Sequence, residues 1–415
     1  MDKKLCFAFC RTKYNRNSIE ILKGAVESRA AAFASACIVE DGADAAGQLR
    51  QLMVKYPKTA CGLSFTSARK EESFALIGAI KKSLPGMIVV AGGPHASGDP
   101  GGVLEAGADI VVIGEGEETL CELLAALADG GEYAKVKGLA YLARQGGIVY
   151  TGKRKPLELD SWPAFSGGND TFGYIEITRG CPWRCRFCQA SYLFGSQVRH
   201  RSCRVICEQV KKLMGADLTD LRFITPNSLA YGSGDGKIIN LKAVENLLAS
   251  VKKSAGPKGR IFFGSFPSEI RPDFVSADSV GVLKEYADND NLIIGAQSGS
   301  ARILKEIGRG HGVKDIYRSV ELLRKAGFKA YVDVIFGFPR ETEADMLETL
   351  VMMKDLVQMG ARIHGHAFTP LAGTPYYKSQ PAPVSKAILA EIGRLAAGGK
   401  LYGAWNADLK RKCPK

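Results

Sequence analysis

The sequence predicts two α/β units in tandem: an N-terminal doubly wound, Rossmann-like parallel sheet, then a partial (βα)6 barrel. Three observations carry this. Short apolar runs alternate with stretches of helical periodicity along most of the chain, the pattern of parallel strands covered by helices. The alternation is tight before residue 128 and more widely spaced after residue 171, with an irregular stretch between. The length, 415 residues, suits two or three domains at roughly 150 residues each. The expected boundaries are 1–135 for the sheet domain, 136–168 for a linker with a hairpin, 169–375 for the barrel and 376–415 for a helical tail.

In the first unit the strand-sized apolar runs are 5–9, 36–39, 60–65, 87–91 and 110–113, several followed at once by Gly or a small polar residue. Between them, residues 19–31, 48–55, 72–83 and 118–127 repeat apolar side chains at the helical period. Residues 138–142 and 147–151 read as a small hairpin, and the charged, Pro-containing stretch after them as a linker. The barrel strands are expected at 174–178, 220–224, 260–264, 292–296, 330–336 and 363–368. In both folds ligand chemistry belongs at the carboxyl ends of the strands.

Composition excludes several classes. Hydrophobic residues make up 46% and charged residues 24%, the balance of a soluble globular protein. No apolar run approaches the eighteen or so residues of a membrane span, and the N-terminal apolar stretch is too short for a signal peptide. A cytoplasmic location and no membrane partner are expected. Lys plus Arg is 56 against 43 Asp plus Glu, a formal charge of +13, which suits solubility, an acidic protein surface or RNA. Eleven Cys is high for such a chain, and the odd number argues against a closed disulfide framework.

Three of those cysteines cluster. After the first barrel strand comes Thr178-Arg-Gly-Cys181-Pro-Trp-Arg-Cys185-Arg-Phe-Cys188, a Cys-x3-Cys-x2-Cys loop. Three thiolates this close can hold one metal centre, and soft sulfur ligands select zinc or an iron–sulfur cluster. A structural zinc site wants a fourth protein ligand, for which His200 and Cys203 are the nearest candidates. A four-iron cluster held by three thiolates leaves one iron open to a small molecule.

This loop, with Phe187 at its aromatic position, resembles the signature of the radical S-adenosylmethionine (SAM) superfamily. The resemblance implies that Cys181, Cys185 and Cys188 ligate a 4Fe–4S cluster whose open iron chelates SAM. It also implies one-electron cleavage of SAM to methionine and a 5′-deoxyadenosyl radical. Later strand ends are similar to this family in their order. Thr225-Pro-Asn-Ser follows the second strand, with Asn227 standing in for the usual Gly-Gly-Glu. Gly264-Ser-Phe-Pro-Ser-Glu-Ile-Arg271 offers Ser265, Glu269 and Arg271 for ribose and carboxylate. Gly295-Ala-Gln-Ser-Gly-Ser300, followed by Arg309-Gly-His311, offers Gln297 and Ser298, and Gly337-Phe-Pro-Arg-Glu-Thr342 offers Gly337 beside adenine. Phe187 and these residues are the expected SAM contacts.

The first unit carries Cys61-Gly-Leu-Ser-Phe-Thr66, Val90-Ala-Gly-Gly-Pro-His95 and Val112-Ile-Gly-Glu-Gly-Glu-Glu-Thr119. Together these resemble the cobalamin-binding domain that precedes many radical SAM barrels. The resemblance implies cobalamin contacts from Ser64, Phe65, Thr66, Gly92, Gly93, Pro94, His95, Gly114, Glu115 and Gly116. The Asp-x-His-x-x-Gly that supplies a lower cobalt ligand is absent: the loop reads Cys10-Arg-Thr-Lys-Tyr-Asn-Arg-Asn17. Binding without a His ligand is expected, with Tyr14 as a lower-face neighbour and His95 in a nucleotide-side or packing role.

Taken together, the two domains resemble cobalamin-dependent radical SAM methyltransferases. This implies transfer of a methyl group to an unactivated sp3 carbon, with a flavodoxin or ferredoxin as electron donor. A peptidyl residue is the expected substrate, the glutamine Cα of methyl-coenzyme M reductase being the candidate. The alternatives are a tRNA methylthiotransferase-like enzyme, for which Cys6, Cys10, Cys37 and Cys61 lack the second-cluster pattern, and a cyclising or rearranging enzyme.

Strand periodicity supplies the catalytic candidates. Glu176 and Thr178 share a face, as do Tyr331 and Asp333, so Glu176, Tyr331 and Asp333 are read as substrate contacts. His364 and His366 share a face of the last strand and are expected to line the barrel, with metal binding as the alternative. Cys203 and Cys207 read as packing residues, Cys6, Cys10, Cys37, Cys61 and Cys121 as structural, and Arg199–Arg204 as basic surface or a substrate carboxylate site.

Overall fold

A computed structural model describes residues 5–40, 42, 44–167 and 174–405. The chain divides into two compact units. The first comprises Met1–Tyr174 with Tyr192–Phe194 and Leu371–Thr374; the second comprises Ile175–Ser191, Gly195–Pro370 and Pro375–Lys415. Among the described residues, no helix is long and apolar enough to cross a membrane.

The first unit is built on one sheet. Its strands are β1 (Leu5–Arg11), β2 (Ala34–Glu40), β3 (Thr59–Ser64), β4 (Ile88–Gly92), β5 (Ile110–Val112), β6 (Leu139–Leu142) and β7 (Ile148–Tyr150), in the order β2-β1-β3-β4-β5-β6-β7. β1 to β5 run parallel, and the order 2-1-3-4-5 is that of a doubly wound sheet with its switch point between β1 and β3. Two apolar layers form because both faces are covered. Leu5, Phe7 and Phe9 face a layer with Ile19, Val26, Leu123 and Leu124 from helices Arg16–Arg29 and Gly116–Asp129. Ala8 and Cys10, one residue out of phase, face the opposite layer with Leu49, Ile77 and Ile80.

Phe7 meets Phe9 edge to face at 4.8 Å, and a Cβ on Gly62 would lie 2.4 Å from the Phe7 ring. That close approach is why β3 carries a glycine there. Phe7→Ala is expected to cost about 3–5 kcal/mol of stability, read as a lowered denaturation midpoint.

One expectation needs correcting. The 138–151 hairpin is no free linker: β6 pairs antiparallel with β5, and β7 with β6, extending the sheet. The Gly-Gly-Pro-His segment opens a short helix, Gly93–Gly98, with Pro94 in its first turn, where a missing N–H costs nothing.

The second unit continues with β8 (Tyr174–Glu176), β9 (Thr178–Arg179), β10 (Arg199–His200), β11 (Asp220–Ile224), β12 (Arg260–Phe262), β13 (Asn291–Gln297), β14 (Lys329–Phe336), β15 (Arg362–Ala367) and β16 (Leu401–Tyr402). β12-β11-β8 form one sheet and β13-β14-β15-β16 another. They are stitched by a parallel bridge between Ile270 and Ile294 and by the Ile293 amide donating to the Gly264 carbonyl at 2.8 Å. Along β14, Val332, Val334 and Phe336 are buried, while Tyr331, Asp333 and Ile335 on the other face are partly open. The 376–415 segment is not wholly helical. After helix Lys386–Ala397 the chain adds β16, paired parallel with β15, a seventh strand on the barrel wall.

Candidate functional site

The three-cysteine loop leaves β9 through Gly180, whose φ is +89°. A Cβ there would lie 2.1 Å from the Gln197 carbonyl, so only glycine fits. The loop is held by its backbone: the Cys181 amide donates to the Gly195 carbonyl at 3.1 Å, and the Arg186 amide to Ile307 at 2.9 Å. Arg184 adopts a left-handed φ of 52°, and its amide donates to Ser191 Oγ at 3.1 Å. Burial pushes the Cys181 thiol up and the Cys188 thiol up to about 12. Cys185 Sγ lies 3.9 Å from Arg309 Nη1.

Arg309 organises the floor of this site. Its Nη2 donates to Glu269 Oε1 at 3.0 Å and to the Gly295 carbonyl at 2.7 Å, and its Nε donates to His311 Nε2 at 3.1 Å. Gly295 has no side chain because a Cβ would lie 2.4 Å from Arg309 Nη2. Burial, with Arg309 and Arg271 nearby, holds His311 neutral, down to about 3. Burial also pushes the Glu269 carboxyl up, against the pull of Arg309.

Beside this network sits Arg271, 2% exposed. Its guanidinium lies 3.6 Å from the centroid of the Trp183 ring, within the cysteine loop, and its Nη2 donates to Asp273 at 3.0 Å. Arg271 Nε and Nη1, Asn227 Nδ2, Ser265 Oγ, His311 Nδ1 and Trp183 Nε1 are buried without a hydrogen-bond partner. Asn227 and Arg271 are tied directly, Asn227 Oδ1 accepting from the Arg271 amide at 3.3 Å. Buried polar groups cost about 1–3 kcal/mol each when unpaired. So many gathered at the ends of β11, β12 and β13 fit a polar ligand that satisfies them.

The other expected SAM contacts divide. Phe187 packs edge-on to Phe338 at 5.3 Å. Gln297 is buried at a register break in β13 with φ 74°, a conformation a non-glycine residue holds only under constraint. Gly337 has φ +84° and donates its amide to Glu341 Oε2 at 2.6 Å. Ser298 requires a correction. It is fully buried, 3.2 Å from Thr349 Oγ1 on helix Glu343–Gln358, so it braces that helix instead of meeting a ligand.

Glu176 also differs from expectation: its carboxylate is engaged by Arg179, Nε at 3.0 Å and Nη2 at 2.5 Å, and serves to hold that arginine. Tyr331 and Asp333 lie on the open face of β14, Asp333 Oδ1 being 2.9 Å from His364 Nδ1. Sequence reasoning missed Trp183 and Glu341. The Glu341 Oε2 also accepts from the Phe338 amide at 3.0 Å, fixing the loop after β14. Burial outweighs these two donors and pushes the Glu341 carboxyl up from 4.5 to about 8. The folded chain thus keeps a proton that the unfolded chain gives up. This contribution is complete below about pH 4.5 and fades as pH rises through about 8. Unfolding of Glu341→Gln beside the parent should show the parent losing ground across that window.

In the first unit the expected cobalamin residues sit at the ends of the adjacent strands β3, β4 and β5. Thr66 is exposed, and Gly92–Pro94 and Gly114–Gly116 are partly open. Gly93 has φ +88°, and a Cβ would lie 2.8 Å from Ser64 Oγ. Gly114, φ +81°, has open space where a Cβ would stand, and its amide donates to Ser97 Oγ at 2.9 Å. This low, small-residue rim fits a broad ligand laid across the sheet edge. Ser64 is buried, its carbonyl accepting from Asn15 Nδ2 at 3.1 Å. Glu115 is committed elsewhere, its Oε2 accepting from the Leu157 amide at 2.8 Å. His95 takes the packing role, one of the two expected of it. His95, 1% exposed, lies between the rings of Phe65 and Phe74 at 5.6 and 5.9 Å, with Nδ1 3.0 Å from Ser67 Oγ. His95 and the likewise buried Phe65 support the rim from behind. Tyr14 is exposed, with the Arg69 guanidinium 3.5 Å from its ring centroid.

Residues 175–353 match the Radical SAM superfamily, and residues 26–124 match the B12 binding domain. The chain carries a radical SAM domain and a B12-binding domain. The radical SAM domain thus contains the cysteine loop, Arg271 and Arg309, and the B12-binding domain the rim from Ser64 to Gly116. An uncharacterized methyltransferase of Pyrococcus horikoshii is 25% identical over 323 residues, 74% of this chain and 66% of that protein. An uncharacterized protein of Methanopyrus kandleri is 25% identical, covering 70% of this chain and 62% of its own length. A tRNA-2-methylthio-N(6)-dimethylallyladenosine synthase of Prosthecochloris aestuarii is 31% identical, over 55% of this chain and 51% of that protein. The chain therefore spans between half and two thirds of these relatives. In fold it is similar to the radical SAM methyltransferase TsrM of Kitasatospora setae, solved with cobalamin and a [4Fe-4S] cluster bound (TM-score 0.71, 17% identity, 90% of this chain and 74% of that one). It is also similar to the cobalamin-dependent SAM radical enzyme OxsB (TM-score 0.67, 17% identity, 85% and 52%).

Proposed function

We propose that the protein is a cobalamin-dependent radical SAM enzyme that transfers a methyl group to an unactivated carbon. The observation that carries this reading is the ring of unpartnered buried polar groups beside the three-cysteine loop. Cys181, Cys185 and Cys188 would hold the 4Fe–4S cluster, and Asn227, Ser265, Glu269 and Arg271 the polar groups of SAM. Phe187 and Gly337 would flank its adenine, and the Gly92–Gly116 rim would hold cobalamin. When bound, these groups supply one-electron cleavage of SAM and a carrier for the methyl group. The chain itself binds, orients and excludes water. Arg309 keeps the Glu269 carboxylate and Cys185 side by side, and Trp183 fixes the plane of Arg271.

The finer reading is a protein substrate in the cytoplasm, with a peptidyl carbon such as the glutamine Cα of methyl-coenzyme M reductase as acceptor. A flavodoxin or ferredoxin would be the electron donor. The formal charge of +13 supports an acidic partner surface. The tRNA methylthiotransferase reading draws on the Prosthecochloris relative, but Cys6, Cys10, Cys37 and Cys61 lie within β1, β2 and β3, not on strand-end loops where a second cluster would sit.

The test is to incubate reduced, cobalamin-loaded protein and methyl-deuterated SAM with extract of a strain lacking this gene. One tryptic peptide should gain a labelled methyl group on carbon. Formation of 5′-deoxyadenosine without any labelled product, or about eight irons per chain, would overturn the reading.

A further inference from the structure

We propose that Asp333, His364 and His366 form a mononuclear divalent-metal site, separate from the three-cysteine loop and suited to zinc or ferrous iron. The three residues stand on one face of two neighbouring parallel strands. Asp333 of β14 is the register partner of His364 of β15, and Ile335 that of His366, so the two-residue period brings all three side chains to the same side. Asp333 Oδ1 and His364 Nδ1 are 2.9 Å apart, and His364 Nδ1 and His366 Nε2 are 3.2 Å apart. Among the described residues, this trio brings one ligand atom from each side chain within 4.8 Å of the others.

The close packing is hard to explain by hydrogen bonds alone. An imidazole nitrogen either carries a hydrogen and donates it or offers one lone pair. His364 Nδ1 faces both a carboxylate oxygen and a second imidazole nitrogen. If it donates to Asp333, the His366 contact must share that one hydrogen. If it accepts from His366, its lone pair confronts the carboxylate. A cation among three lone pairs removes the conflict. Metal–ligand bonds of about 2.0–2.2 Å put neighbouring ligand atoms roughly 2.9–3.5 Å apart in octahedral or tetrahedral geometry, and both measured separations fall in that range.

Two imidazoles and a carboxylate are the donor set of metal sites that keep positions open for water or for a carbonyl or carboxylate oxygen. The side chains of Asp333 and His364 are 17% and 29% exposed, so the site is reachable. Tyr402 of β16 stacks on the His364 ring at 4.6 Å and 9°, fixing the imidazole plane as partners outside the ligand shell do in metal sites. The site stands on β14 and β15 alone and does not depend on the methyl-transfer reading.

Anaerobic protein with its cluster reconstituted, given one equivalent of zinc chloride and then desalted, should retain one zinc per chain by elemental analysis. The zinc absorption edge should report nitrogen and oxygen neighbours without sulfur. His366→Gln and Asp333→Asn should bind zinc at least about 100-fold more weakly, with unchanged iron content showing an intact fold. Absence of zinc from the parent protein, sulfur in its first shell, or equal retention by both variants would overturn the site. The edge spectrum of the parent decides the matter even if the variants misfold.

Discussion

Alanine at Cys181, Cys185 or Cys188 is expected to abolish both the iron–sulfur absorbance and the release of 5′-deoxyadenosine from SAM. With three thiolates for one cluster, loss of any one leaves two irons without a protein ligand. The loop's conformation does not rest on the thiols: Gly180, the Gly195 and Ile307 carbonyls and Ser191 hold its backbone. The variants should therefore fold, and far-ultraviolet circular dichroism like that of the parent would separate loss of the cluster from loss of structure. A variant that keeps absorbance and cleavage would remove that cysteine from the ligand set.

Arg309→Gln is expected to produce the largest loss of stability among single polar substitutions. It leaves Glu269 without its cation, Gly295 without a donor and His311 Nε2 unpaired. Breaking such a buried pair costs roughly 3–5 kcal/mol, toward the lower end because Glu269 keeps some solvent access. Glu269→Gln should cost less, since Arg309 retains Gly295 and His311 as acceptors. Chemical denaturation of both variants and of the double variant measures the coupling. Equal losses from the two single changes would mean that Arg309 acts through Glu269 alone.

Most of the architecture was legible in the sequence because its signals are local. β1, β3, β4 and β5 are buried on both faces and read as apolar runs, whereas β11 and β14 show the alternation of strands open on one face. Where the signal is short or mixed it failed. β16 has two residues, too few for a period. The cysteine loop was legible from spacing. Its surroundings were less so, because they join distant segments. Nothing near Trp183 announces Arg271, and nothing near Ser298 announces Thr349. The same holds for Asp333, which acquires two imidazole neighbours only through the register of β14 on β15.

The hairpin of β6 and β7 also governs how the molecule behaves toward its own copies. A parallel sheet ending at Ile110–Val112 would present a bare apolar rim whose unpaired amides and carbonyls invite a strand from another chain. The hairpin moves that rim outward to Ile148–Tyr150, three residues long, preceded by Gly146-Gly147 and followed by Lys153-Arg154-Lys155. Arg154 is paired with Glu118 and Glu122, but a rim so brief, with the exposed Lys153 and Lys155 close by, is a poor template for self-association. At the far side of the sheet, Glu40 at the end of β2 is clasped by Arg11, which keeps charge at that border as well.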